Sequence, residues 1–63
     1  MKLLSMKVVR NESLQGHMVY FKTSRGVKGF WFAPGKRLAV PAAFISEHIV
    51  SLQRRKLLSV KEA

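Results

Sequence analysis

No cysteine occurs anywhere in this chain of 63 residues, and that absence narrows the folds open to it. Disulfide staples and thiolate zinc sites, frequent supports of a chain this short, are both excluded. A domain of this size buries only about 60% of the surface its unfolded chain exposes. Its core supplies roughly 3–5 kcal/mol. One domain spanning residues 1–63 is expected, with a homodimer or a bound partner as a further source of stability. A cysteine-free chain also suits a reducing compartment, so a cytoplasmic location is expected.

Charge sets the next constraint. Twelve Lys and Arg stand against three Glu, there is no Asp, and the formal net charge is +9. The hydrophobic fraction of 48% is that of a folded domain rather than a disordered basic tail. Such a charge repels itself and draws in polyanions. Nucleic acid, an acidic protein and an anionic membrane surface are the partners to weigh. The longest run without a charged side chain is about nine residues, far below the ~20 of a membrane span. Met1-Lys2-Leu3-Leu4-Ser5 has the look of a signal-peptide start, but Lys7 and Arg10 interrupt the apolar region at once. No membrane partner is expected.

The hydrophobic pattern changes period along the chain. Met6–Arg10, His17–Thr23 and Val27–Phe32 are rich in β-branched and aromatic residues and read as three strands. Asn11–Gly16 is polar and reads as a loop, while Ser24-Arg25-Gly26 makes strands two and three a hairpin. Ala33-Pro34-Gly35-Lys36 carries Pro and Gly at the central positions of a type II turn. Arg37–Val40 reads as a fourth strand, and Pro41 suits the first turn of a helix. Ala42, Ile45, Ile49 and Leu52 then follow 3, 4, 3 spacing on one helical face. Ser46 is an N-cap if that helix starts late. Leu57–Val60 reads as a last strand, with Lys61-Glu62-Ala63 expected to fray. The predicted class is α+β: a small curled antiparallel sheet in the order β-β-β-β-α-β, an open barrel being its more closed form, covered by one helix.

Catalysis finds little material here. Glu12, Glu47 and Glu62 fall in a loop, a helix and a tail, and His17 and His48 are the only imidazoles. Glu47 and His48 are adjacent on a helix and diverge, whereas a helical metal pair needs i, i+3 or i, i+4 spacing. The four glycines are scattered and each is explained by a turn or a bulge. No enzyme activity, metal or cofactor is expected.

The aromatics carry more. Tyr20, Phe21, Phe30, Trp31 and Phe32 all fall in the predicted hairpin, with Lys22, Arg25 and Lys28 among them or at the turn. Alternation gives Phe30 and Phe32 one face, assigned to the core, and leaves Trp31 outward. Lys28 shares parity with Phe30, and a bulge at Gly29 would resolve that conflict. An outward ring beside cations is how single-stranded nucleic acid is gripped, bases stacking on rings while Lys and Arg follow phosphates. Trp31 is equally open to reading as one more core aromatic. Arg54-Arg55-Lys56 is either a phosphate-contacting cluster or a favourable helix C-terminus. Lys36-Arg37 extends the same patch if the Pro-Gly turn lies beside the helix end.

The second half also resembles small modules encoded by bacteriophages and prophages, loosely the N-terminal domain of the Mu-like prophage FluMu proteins. The likeness rests on Phe32-Ala33-Pro34-Gly35, Val40-Pro41, Ile45-Ser46-Glu47-His48-Ile49 with Leu52, and Leu58-Ser59-Val60. It covers about half the chain, which is more basic than those modules. It implies a structural or host-interaction role and carries over no catalytic residue.

The expected function is a non-enzymatic, nucleic-acid-associated binding protein of low sequence specificity, with Lys22, Arg25, Lys28, Trp31, Lys36, Arg37, Arg54 and Arg55 as its candidate contacts. The alternative is a phage protein-interaction module docking on an acidic host or virion protein, with Trp31 and the helix-end arginines as anchors.

Overall fold

A computed structural model describes residues 5–63. Met1-Lys2-Leu3-Leu4, weighed above as a signal-peptide start, lies outside the described residues. The α+β order is as expected: β1 (Met6–Asn11), β2 (His17–Thr23), β3 (Gly26–Phe32), β4 (Arg37–Pro41), a 3-10 turn (Ala42–Phe44), α1 (Glu47–Arg54) and β5 (Leu58–Glu62).

The strands divide into two antiparallel sheets and do not close into a barrel. β1 lies at the centre of a three-stranded sheet ordered β4-β1-β5, and β2-β3 is a separate hairpin. The division follows from the edge of β2. Ser46 Oγ donates to Tyr20 O at 2.6 Å, and His48 Nε2 lies 3.3 Å from Met18 O. The segment leading into α1 therefore occupies the positions a further strand would take. One core joins the parts: Val9, Val40 and Leu58 from the sheet, Val19, Phe21 and Phe32 from the hairpin, Ile49 and Leu52 from the helix. Full burial of a side chain such as Phe21, Phe32 or Ile49 contributes about 1.5–3 kcal/mol.

Both predicted turns around the hairpin form. Gly26 takes φ +108° after Ser24-Arg25. Pro34-Gly35 closes with Lys36 N donating to Ala33 O at 3.0 Å and Gly35 at φ +78°, the type II geometry.

The helix starts later than the apolar spacing implies. Pro41 ends β4 and opens the 3-10 turn instead of α1, and Ile45 is extended (φ −69°, ψ 115°). Ser46 is the N-cap, its Oγ accepting from Ile49 N at 3.3 Å. Ile45 still packs against the core, from outside the helix.

Leu57 and the C-terminal residues also differ from expectation. Lys56 N donates to Gln53 O and Leu57 N to Leu52 O, both at 3.0 Å, with Lys56 at φ 62°. This is a Schellman ending, so Leu57 belongs to the helix cap and not to the strand. Lys61-Glu62 does not fray: Lys61 pairs with Val8 and Glu62 with Lys7, whose side chains form an ion pair, and Ala63 N donates to Met6 O at 3.1 Å. Two-stranded support along β1 holds the segment that composition alone marked as a tail.

Lys56 occupies the left-handed position that favours glycine, where a Cβ costs roughly 1–2 kcal/mol. Lys56→Gly is expected to raise stability by about 1 kcal/mol, part of the relief being offset by the freer unfolded chain. A urea unfolding midpoint that fails to rise would contradict this.

Candidate nucleic-acid interface

The hairpin pairs one-to-one from His17↔Phe32 through Tyr20↔Gly29 to Thr23↔Gly26. There is no bulge at Gly29. Alternation therefore holds throughout. Val19 and Phe21 of β2 share a face with Lys28, Phe30 and Phe32 of β3, while Met18, Tyr20 and Lys22 share the other with Val27, Gly29 and Trp31.

The core takes in the β2 half of the first face, Val19 and Phe21, but only the base of its β3 half. Phe32 is buried, but Phe30, expected beside it in the core, is 42% exposed. It touches Phe21 edge-on, with ring centroids 5.5 Å apart. At about 3.3 Å per residue, Phe30 sits roughly 7 Å and Lys28 roughly 13 Å farther toward the tip than Phe32. Their register partners Val19 and Phe21 are fully buried, so the core runs under β2 and stops short of the outer strand β3, and Lys28 needs no bulge to reach solvent.

The second face is an outward aromatic surface. Trp31 is 58% exposed, as the outward reading of the hairpin expects. Its indole lies so close to Gly16 that a Cβ there would collide with the ring. Tyr20 and Met18 close over Gly29 in the same way, each within 2.8 Å of where a Cβ would stand. Tyr20 is braced from the side by the His48 ring, at 5.2 Å and 71°. The absence of a Cβ at two glycines thus gives three large side chains close seats on the backbone while leaving them partly in water. Counting outward from the Ser24-Arg25 turn pairs Tyr20 with Gly29 and Met18 with Trp31. That signal lies in the sequence and identifies Met18, Tyr20, Val27 and Gly29 as parts of this surface beyond the candidates named above; Gly16, in the loop before β2, carries no such signal.

The candidate cations fall into three groups. Lys22 shares the aromatic face, Arg25 sits in the turn and Lys28 lies on the opposite face near the tip. Lys36 stands at the base, donating to Trp31 O at 3.3 Å with its ammonium 5.6 Å from the Phe32 ring centroid. Arg37 lies apart, directly opposite Arg10 in the three-stranded sheet. It lines a groove of about 250 Å³ with Val8, Arg10, Glu12, Ser59 and Lys61. Arg54 ends α1 and Arg55 is its C-cap. The Pro-Gly turn and the helix end flank the same end of β1, since Asn11 N donates to Lys36 O and Glu12 N to Leu57 O. They sit on opposite sides of it, roughly two strand spacings or 10 Å apart, and do not merge into one patch.

His17, Glu12 and Glu47 have local structural roles. His17 Nε2 lies 2.8 Å from Ser13 Oγ, and Glu12 accepts from Ser59 Oγ at 2.7 Å. Glu47 occupies the first turn of α1, where the helix dipole favours it. No helix among the described residues is long and apolar enough to cross a membrane.

Fold and surface together define a small basic α+β domain that displays an aromatic sheet face. No family model, curated protein or solved structure matches the chain.

Proposed function

We propose that this protein is a non-enzymatic, nucleic-acid-associated binding module of low sequence specificity, using the outer face of the β2-β3 hairpin. The observation that carries the reading is Trp31, more than half exposed yet held close on Gly16, in a chain of net charge +9. A ring held this way stacks on a base without first losing its own rotational freedom, and every base has a face to stack. Tyr20 supplies a second ring on the same face, Lys22 shares that face, and Arg25 and Lys36 stand at the tip and the base of the hairpin. A cytoplasmic, phage-encoded setting belongs to this proposal.

Titration with labelled single-stranded and duplex oligonucleotides, read by anisotropy and Trp31 fluorescence, tests it. Single strands are expected to bind and quench Trp31. Trp31→Ala is expected to weaken single-strand binding about tenfold while leaving the unfolding midpoint nearly unchanged. Absence of binding at low salt would refute the proposal.

A second reading draws on Val27, 68% exposed, and on Met18. Neither side chain stacks on bases, and both suit an interface with an acidic host or virion protein. Capture of an acidic protein by a chain that binds no oligonucleotide would favour it.

A further inference from the structure

The carbonyls of Met18 and Tyr20 point away from β3, because side chains of Ser46 and His48 reach them from the other side. Their register partners Trp31 and Gly29, and likewise Val27 opposite Lys22, must then direct their backbone groups away from β2. Lys36 Nζ reaches the Trp31 carbonyl. Neither Val27 nor Gly29 has a hydrogen-bond partner on that side among the described residues. β3 is thus a seven-residue edge without proline or bulge, its one charged residue Lys28 at mid-strand, and exposed at every residue but Phe32. Natural edges are normally blunted by such devices or covered. The edge of β2 is covered, whereas among the described residues only the Lys36 ammonium reaches that of β3.

We propose that β3 pairs with β3 of a second copy of this chain, antiparallel about a twofold axis through Gly29. The register commends this occupant. Centring on Gly29 sets Gly29 against its counterpart and Val27 against Trp31 of the other copy, all of them residues whose backbone groups point outward. About six N–H···O bonds form. On the other face Lys28 meets Phe30 of the other copy, an ammonium against a ring, and not the second Lys28. Moving the axis one residue toward the tip, onto Lys28, shifts the register by two and would oppose the two lysines directly, which is unfavourable. The pairing turns two marginal two-stranded ribbons into one four-stranded sheet and covers Val27 and Phe30. It also carries the Tyr20 and Trp31 rings of both copies onto one continuous face.

Sedimentation equilibrium at about 100 μM and moderate salt is expected to give a mass approaching twice the 7.2 kDa chain. The amides of Val27 and Gly29 are expected to exchange more slowly as concentration rises. Raising salt from about 50 to about 500 mM strengthens the pairing by screening the repulsion between two +9 chains. Nucleic-acid binding responds to salt in the opposite sense, so failure of one idea is distinguishable from failure of the other. Phe30→Lys opposes lysines at two places across the axis and is expected to give a monomer. Lys28→Glu combined with Phe30→Lys is expected to restore the dimer by exchanging repulsion for attraction, which separates register from misfolding. A chain that stays at single mass at about 1 mM, or a dimer whose Val27 and Gly29 amides exchange as fast as in dilute solution, overturns the proposal. So does a Phe30→Lys variant that remains dimeric.

Discussion

Replacing Asn11 with Asp is expected to unfold this protein near neutral pH. Asn11 is 1% exposed at the end of the central strand. Its Nδ2 donates to Gln15 O at 2.8 Å and to Phe32 O at 3.0 Å, and its Oδ1 accepts from Ser13 N at 2.8 Å. Its backbone exchanges bonds with the Pro-Gly turn, donating to Lys36 O and accepting from Gly35 N, both at 3.0 Å. The side chain therefore ties β1 to the loop before β2 and the end of β3, while the backbone of the same residue holds the turn before β4. Asp keeps the acceptor but turns a carboxylate oxygen toward two carbonyls. Two lost donations at about 1–3 kcal/mol each, with a buried charge added, match or exceed the ~3–5 kcal/mol a core this small supplies. Burial raises the folded-state pKa of the new carboxyl above its unfolded value of about 3.9. The ionisation part of the deficit is therefore present above the folded-state value and vanishes below the unfolded one. Circular dichroism melts of variant and parent at pH about 7 and about 3 check both statements. Parental stability at neutral pH would show that these bonds do not hold the fold.

Affinity for single-stranded DNA is expected to fall about 20-fold between about 50 and about 200 mM salt. Each phosphate neutralised on a single strand contributes about −0.7 to the log–log slope. One strand following the outer face of the hairpin meets Lys22, Arg25 and Lys36, Lys28 being on the opposite face, which gives a slope near −2. About six contacts on duplex DNA would steepen it to about −5, and that requires Arg37 or the helix-end arginines. Their separation from the hairpin argues against it. Arg54→Gln with Arg55→Gln is therefore expected to leave the single-strand slope unchanged, whereas Lys22→Gln lowers it by about 0.7. A flat salt response would remove phosphate contacts from the account, and a steep slope that disappears with Arg54 and Arg55 would relocate the site to the helix end.

Most of the fold was legible because its elements differ in period. β2 was readable residue by residue from His17 to Thr23, and both glycine-bearing turns from their chemistry. What escaped was decided by contacts distant in sequence. Lys61-Glu62 joins β5 only because Lys7 and Val8 stand opposite, some fifty residues earlier. Ile45 leaves the helix because Ser46 takes the cap and also reaches Tyr20. Phe30 left the core because local alternation sets its face but not how far the core extends. In the surface, Trp31 was legible as outward, yet its seat on Gly16 was not, since no periodicity links a loop glycine to a strand fifteen residues on. The grouping of the cations depended on which side of β1 each connection passes, and charge along a chain holds no such information.

The placement of β1 has a consequence for the order in which the protein assembles. Its two neighbours, β4 and β5, are both made after it, and the second is completed only at Glu62. At a synthesis rate of about 5–20 residues per second, the oldest strand waits several seconds for its last partner. The β2-β3 hairpin needs only its own short turn and closes in roughly microseconds. A nascent chain therefore exposes a finished ribbon and an idle apolar strand together. Chains of high contact order complete such distant pairings slowly, and the interval before β5 arrives is when this one is most open to a wrong strand.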